Sequence, residues 1–135
     1  MRSMRLLVFA LLVLPLAGLA GCRRGSFSYE KTVTVEGGDA FQAQTVDPPA
    51  RDQKVTVTIK SATALVNVYL VLEKDREAAE ESLRYERAPA NVLDKKEKVQ
   101  EATLEATVPA NTSYTVLLSP AVGKTAKVEL RITGR

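Results

Sequence analysis

The chain contains no histidine and no tryptophan, and only one cysteine, Cys22, among 135 residues. Without histidine there is no Ser-His-Asp or Cys-His relay, no imidazole metal site, and no side chain that ordinarily titrates near neutrality. One cysteine cannot close an intrachain disulfide or supply the thiolate set of a zinc site. Aromatic residues make up 5% of the chain, so platforms for stacking sugars or bases are scarce. No apolar stretch is long enough to span a bilayer. The N-terminal run, residues 6–20, has 15 residues, whereas a ~30 Å hydrocarbon core takes about 20. A large charge of one sign is missing too: 19 basic residues face 16 acidic ones, for a formal net charge of +3.

What the N-terminus does contain has a definite order. Arg2 and Arg5 precede the apolar run, and small residues follow it. A charged start, an apolar centre of about 7–15 residues and a small-residue end make up a secretory signal. Pro15 and Gly18 further weaken the run as a permanent helix. The run closes on Leu19-Ala20-Gly21-Cys22, which resembles the lipobox of bacterial lipoproteins. That resemblance implies cleavage between Gly21 and Cys22, with diacylglycerol on the Cys22 thiol and usually an acyl chain on its amine. Palmitate label is then expected on this one residue. An ordinary secretory signal with a chance cysteine is the plainer alternative, but it leaves a free thiol in an oxidising compartment.

Acylation predicts an anchor. Each buried CH₂ contributes about 0.8 kcal/mol, and one chain alone holds only marginally, so two or three chains on one cysteine make a lasting attachment. Arg23 and Arg24 follow immediately and add roughly 1 kcal/mol each beside an anionic leaflet. In proteobacterial lipoproteins, aspartate after the cysteine is the usual signal for retention at the inner membrane. Arg23 departs from it, so the outer membrane is the expected destination where the organism has one. Residues 1–21 are read as signal peptide, 22–28 as lipidated cysteine and tether, and 29–135 as a single domain.

Removing residues 1–21 takes Arg2 and Arg5 with them, which leaves 114 residues with 17 basic and 16 acidic groups. A nearly neutral domain without a clustered basic face gives no case for nucleic acid. The densest basic run, Asp94-Lys95-Lys96-Glu97-Lys98, contains acids of its own and reads as a solvated loop or turn.

Alternation with period two dominates the mature chain. Val33 and Val35 share one face of a first strand. Glu36-Gly37-Gly38-Asp39 supplies turn chemistry for a tight hairpin, in which paired glycines permit positive φ. A second strand places Phe41, Ala43 and Thr45 inward, opposite Gln42 and Gln44, and Pro48 and Pro49 stop it. Residues 54–60 form the cleanest strand, with Val55, Val57 and Ile59 inward. Residues 64–73 are apolar on both faces: Val66, Val68, Leu70 and Leu72 on one, Leu65, Tyr69 and Val71 on the other. Such a strand lies at the centre of a sheet with something covering its outer side. The Glu- and Ala-rich residues 74–87 predict a short helix as that cover, with Ala78, Ala79 and Leu83 as its apolar stripe. The alternative is that Leu83-Arg84-Tyr85 adds an edge strand. Residues 88–97, with Pro89, read as a loop.

Alternation returns over residues 99–108, 114–118 and 126–133. Ala102, Leu104, Ala106 and Val108 are inward in the first of these, Tyr114, Val116 and Leu118 in the second, and Val128, Leu130 and Ile132 in the third. About seven short strands separated by turns predict a mainly all-β fold, an antiparallel, jelly-roll-like β-sandwich with one short helix in a long inter-strand segment.

Two of these stretches carry a further likeness. Val66-Asn67-Val68-Tyr69-Leu70-Val71 and residues 108–117, Val-Pro-Ala-Asn-Thr-Ser-Tyr-Thr-Val-Leu, resemble segments of the bacterial pre-peptidase C-terminal type of β-sandwich. The resemblance implies an exported, mostly non-catalytic module. Asn67 stands where that family usually has aspartate, which argues against an acidic ligand role there. Asn111 stands where glycine is usual, and asparagine is the next best residue for a left-handed turn.

Candidate sites are few. Glu77, Glu80 and Glu81 offer the carboxylates of a glycoside hydrolase, but Lys74, Arg76 and Arg84 lie within reach as partners, so a solvated helix face is expected. Asp39, Asp47 and Asp52 match no compact calcium loop and are expected in turns and caps. Tyr29 and Tyr85, with Phe27 and Tyr69, are candidate surface contacts for glycan, although Tyr69 is expected to pack under the helix. Asn111-Thr112-Ser113 fits a glycosylation pattern that a bacterial lipoprotein has no reason to use. The expected function is therefore a non-enzymatic envelope lipoprotein without cofactor or metal. It is held to a membrane through lipid on Cys22 and has a structural or protein-interaction role. A carbohydrate- or peptidoglycan-binding module is the alternative.

Overall fold

A computed structural model describes residues 26–121 and 123–135. The cleavage and lipidation positions Gly21 and Cys22, the signal and the start of the tether lie outside the described residues. Eight strands and one helix follow in order: β1 (Phe27–Val35), β2 (Gln42–Val46), β3 (Gln53–Ser61), β4 (Val66–Leu72), α1 (Glu73–Arg84), β5 (Asp94–Val99), β6 (Glu101–Val108), β7 (Tyr114–Pro120) and β8 (Ala126–Gly134). The first sheet has the order β1-β8-β3-β6 and the second β2-β7-β4-β5, with every pairing antiparallel. This is the two-sheet jelly roll that periodicity predicts. Only β4 and β5 are both consecutive and paired, and α1 lies between them.

The inward positions of β3, β6, β7 and β8 are those read from alternation. Val55, Val57, Ile59, Leu104, Val108, Val116, Leu118, Val128, Leu130 and Ile132 interlock with Val66, Val68 and Leu70 of β4 in one apolar core. The outer side of β4 is buried as well. Tyr69 and Val71 pack with Leu117 beneath Ala79 and Leu83 of α1, so the helix is the predicted cover, and an edge strand over residues 83–85 does not form. Ala78 lies outside the stripe, in solvent, as does Leu65, which is 37% exposed and precedes β4.

Five expectations are corrected. β1 begins at Phe27, so the domain takes the last two residues assigned to the tether. Residues 36–39 do not close a hairpin, because β1 and β2 belong to different sheets. Among the described glycines only Gly123 has positive φ, at 67°. Gly37 is needed instead for close approach: a Cβ there would lie 2.3 Å from the Gly123 carbonyl oxygen.

The phase of β2 is also inverted. Pairing with β7 sets Gln44 opposite Val116 and Gln42 opposite Leu118, and the inward apolar residue is Val46. The glutamines are tolerated because they sit on an edge strand and find partners. Gln44 Oε1 accepts from the Tyr29 hydroxyl at 3.0 Å, and Gln42 Nε2 donates to Asp39 at 3.1 Å.

The charged run at 94–98 is strand β5, not a loop, and β6 begins only after Gln100. β5 shows no alternation because its charged side chains face solvent at the sheet edge, where lysine discourages further pairing. Asp94 ties that edge to the other sheet by accepting from the Glu105 amide at 3.0 Å. Opposite Asn67 the ladder bulges: Val66 pairs with Val99 but Val68 with Lys96, and Lys98 takes φ of 53°.

Candidate functional site

An open groove of about 550 Å³ lies over the outer face of the second sheet, at the C-terminal end of α1. Strand direction fixes its place. β1 runs from Phe27 towards the turn at 36–41, and residues 37–40 of this turn, the end of β7 and the loop after it border the groove. The groove is therefore at the end of the sandwich opposite the N-terminal entry of the chain.

Its floor comes from two paired strands. Asn67 of β4 and Ser119 of β7 are register partners, and Asn67 Nδ2 donates to Ser119 Oγ at 3.3 Å. Asn67 Oδ1 accepts from the Lys98 amide at 2.8 Å, which the bulge in β5 brings within reach. Tyr69, two residues along β4 and on the same face, reaches the groove from the helix-covered cluster. Burial first, and the Glu97 carboxylate second, push its hydroxyl up to about 12, so it is a neutral donor at any physiological pH.

The rim comes from the way α1 ends. The helix has no side-chain N-cap, but the Glu73 amide donates to Ser113 at 3.0 Å, and Glu73 and Asp75 complement the dipole. At the other end Glu86 adopts φ of 56°. Its amide donates to Leu83 and that of Arg87 to Ser82, at 3.1 and 2.8 Å. This is a Schellman closure with glutamate where glycine is usual, and it turns the chain back so that both Arg84 and Arg87 border the groove. Their guanidinium groups lie over aromatic rings, Arg84 over Phe41 and Arg87 over Tyr85, each 5.4 Å from the centroid.

Of the candidate site residues singled out in the sequence, Tyr69 and Asp39 border this groove, and the others fall elsewhere. Tyr29 borders a second cleft, of about 410 Å³, beside Phe27 and Pro48. Tyr85 is 64% exposed and borders neither cleft, so the two candidate contacts do not share a surface pocket. Glu77 and Glu81 are in solvent, and Glu80 is ion-paired to Arg76 at 3.4 Å. None of the three borders a described cleft. Asp39 accepts from Gln42, and Asp52 accepts from the Ala110 amide at 2.9 Å, which are turn roles. Among the described residues no three acidic groups gather as metal ligands would.

Asn67, Ser119, Arg84 and Arg87 were not foreseen as a site. Two sequence signals lie near it: the departure from aspartate at 67, which reads as a loss, and Tyr69, a candidate contact expected to pack under the helix.

No protein-family model matches the chain, and no curated protein is similar to it. Solved structures share the architecture. The Yersinia pseudotuberculosis-derived mitogen is 11% identical, with 79% of this chain and 85% of that chain covered and a TM-score of 0.57. Aeromonas hydrophila PliG, a periplasmic lysozyme inhibitor of g-type lysozyme, is 14% identical over 82% of this chain and 89% of that chain, with a TM-score of 0.59. At these identities the likeness is one of fold.

Proposed function

We propose that the chain is an exported lipoprotein whose mature part, beginning at Cys22, is a non-catalytic binding domain held near a membrane. The Leu19-Ala20-Gly21-Cys22 motif supports the anchor, and Arg23 favours the outer membrane where there is one. The Val66–Val71 and 108–117 segments, which resemble the pre-peptidase C-terminal type of module, lie on β4 and on the β6–β7 turn and β7. The Aeromonas protein, which shares this fold, is a periplasmic lysozyme inhibitor, so the architecture is compatible with a binding role.

The observation that carries the binding role is the position of the polar groove. β1 has nine residues, about 30 Å at ~3.3 Å per residue. A lipid attached five residues before Phe27 thus leaves the groove at the far end, open to the compartment. A protein partner fits better than a glycan. Tyr69 is the one aromatic residue that lines the groove, and Tyr29 and Tyr85 form no common platform.

Metabolic labelling with a palmitate analogue tests the anchor. The wild-type chain should take up label and partition into membranes, and Cys22→Ala should lose the label and leave unprocessed or soluble protein. Normal processing and unchanged membrane partition of Cys22→Ala would sink the lipoprotein reading.

A further inference from the structure

Donors outnumber acceptors in the groove at the end of α1. Tyr69 is 2% exposed, and its hydroxyl has no hydrogen-bond partner among the described residues. Ser119 is 5% exposed and accepts from Asn67, which leaves its own hydroxyl proton to offer. Asn67 Nδ2 spends one N–H on Ser119 and keeps the other. At the rim, Arg84 and Arg87 lie over the Phe41 and Tyr85 rings, 5.4 Å from the centroids, and have no ion-pair partner among the described residues. Three acids also border the groove. Glu97 is ion-paired to Lys95 at 3.2 Å, Asp39 accepts from Gln42, and Glu86 alone is uncommitted.

Among the described residues only the Tyr114 hydroxyl is sealed from solvent without a partner, so the Tyr69 hydroxyl, open to the groove, is a donor that a ligand able only to accept can take up. Guanidinium forks match the planar carboxylate better than any other common group. Cation–π contact with the Phe41 and Tyr85 rings restrains them beforehand, so less freedom is lost on binding. The groove's size is within the range of small-ligand sites, roughly 300–1,000 Å³, which suits one or two residues of a peptide. Arginine beside tyrosine is also the composition of protein-binding hot spots.

We infer that this groove captures a carboxylate on an acidic peptide segment of a partner protein. Arg84 and Arg87 hold the charge, and the hydroxyls of Tyr69 and Ser119 donate to its oxygens. The inference rests on the reading of the domain as a non-catalytic binding module and gives that module a ligand chemistry.

The test is fluorescence anisotropy on the full-length chain in detergent. The probe is a fluorescein-labelled peptide with two adjacent glutamates, and its counterpart has two glutamines. The glutamate peptide should bind saturably and at least about tenfold more tightly than the glutamine one, with affinity falling as salt rises. Arg87→Gln should weaken it roughly tenfold, as the loss of one charge-assisted bond does. Tyr69→Phe, which keeps the ring, should weaken it without lowering the melting temperature. Equal binding of the two peptides, or binding indifferent to both substitutions, overturns the inference. So does displacement of the probe by chitobiose but not by unlabelled peptide, which would give the groove to glycans. Cleavage of the peptide during titration would instead overturn the non-catalytic reading, and a bound, intact peptide supports both.

Discussion

Tyr114 fills the core from β7 with no exposed surface, and its buried hydroxyl has no hydrogen-bond partner among the described residues. A buried hydroxyl left unpaired costs about 1–3 kcal/mol relative to a paired one, while the ring's packing is wholly favourable. Tyr114→Phe keeps the ring and removes the unpaired group, so it should raise stability by about 1 kcal/mol. Urea denaturation should show a higher midpoint with an unchanged slope. A lower midpoint would mean that the hydroxyl contributes a bond. Asn111 illustrates a residue whose role is readable from its type: it was expected to serve a left-handed turn and has φ of 59°. Glu86 and Lys98 also adopt positive φ, yet nothing about their chemistry favours it. The Schellman closure and the β5 bulge impose it through tertiary hydrogen bonds, so no local pattern announces either residue or the groove they shape.

Helix α1 is the element on which the outer layer depends. Its stripe is narrow, with Ala79 and Leu83 as the buried residues, and a 12-residue helix is marginal in isolation. Packing on Tyr69, Val71 and Leu117 holds it in place. Leu83→Ala should therefore cost about 2–3 kcal/mol, the low end for a buried leucine because the satellite cluster can partly collapse. The expected readout is a lower urea midpoint together with faster amide exchange confined to α1 and the outer face of β4. Exchange unchanged in the helix would show that the contact is not what secures it.

Strands β3, β4, β6, β7 and β8 were legible because alternation of buried and exposed residues is written into each segment by itself. β5 was not, since a charged edge strand owes its conformation to the β4 edge beside it. β2 was found with the wrong phase for a related reason. Its pairing with β7 chooses Val46 as the inward residue, and Tyr29 and Asp39 make the inward glutamines acceptable. The groove was hidden more completely: Asn67 and Ser119 lie 52 residues apart and meet only through the register of β4 with β7.

At the scale of the molecule, both layers of the second sheet are closed by tyrosines: Tyr114 on the inner side and Tyr69 on the outer. Burial pushes both hydroxyls up, each from the usual 10.0 to about 12. The unfolded chain releases these protons near pH 10, whereas the folded chain keeps them to about pH 12. Between those values the unfolded state binds fewer protons, so stability falls as pH rises. The contribution is complete below pH 10 and disappears through pH 12. At 1.36 kcal/mol per unit, two units correspond to roughly 2–3 kcal/mol for each tyrosine, a large share of the 5–15 kcal/mol typical of a domain. The sandwich should therefore unfold cooperatively in alkali, with phenolate absorbance from both buried tyrosines appearing together with the loss of strand signal. Lysines titrate in the same range, so the discriminating measurement is the difference between variants. From pH 9 to pH 12, Tyr114→Phe should lose less stability than the wild type by about the contribution of one tyrosine. Parallel stability curves for the two chains would show that Tyr114 ionises without opening the core.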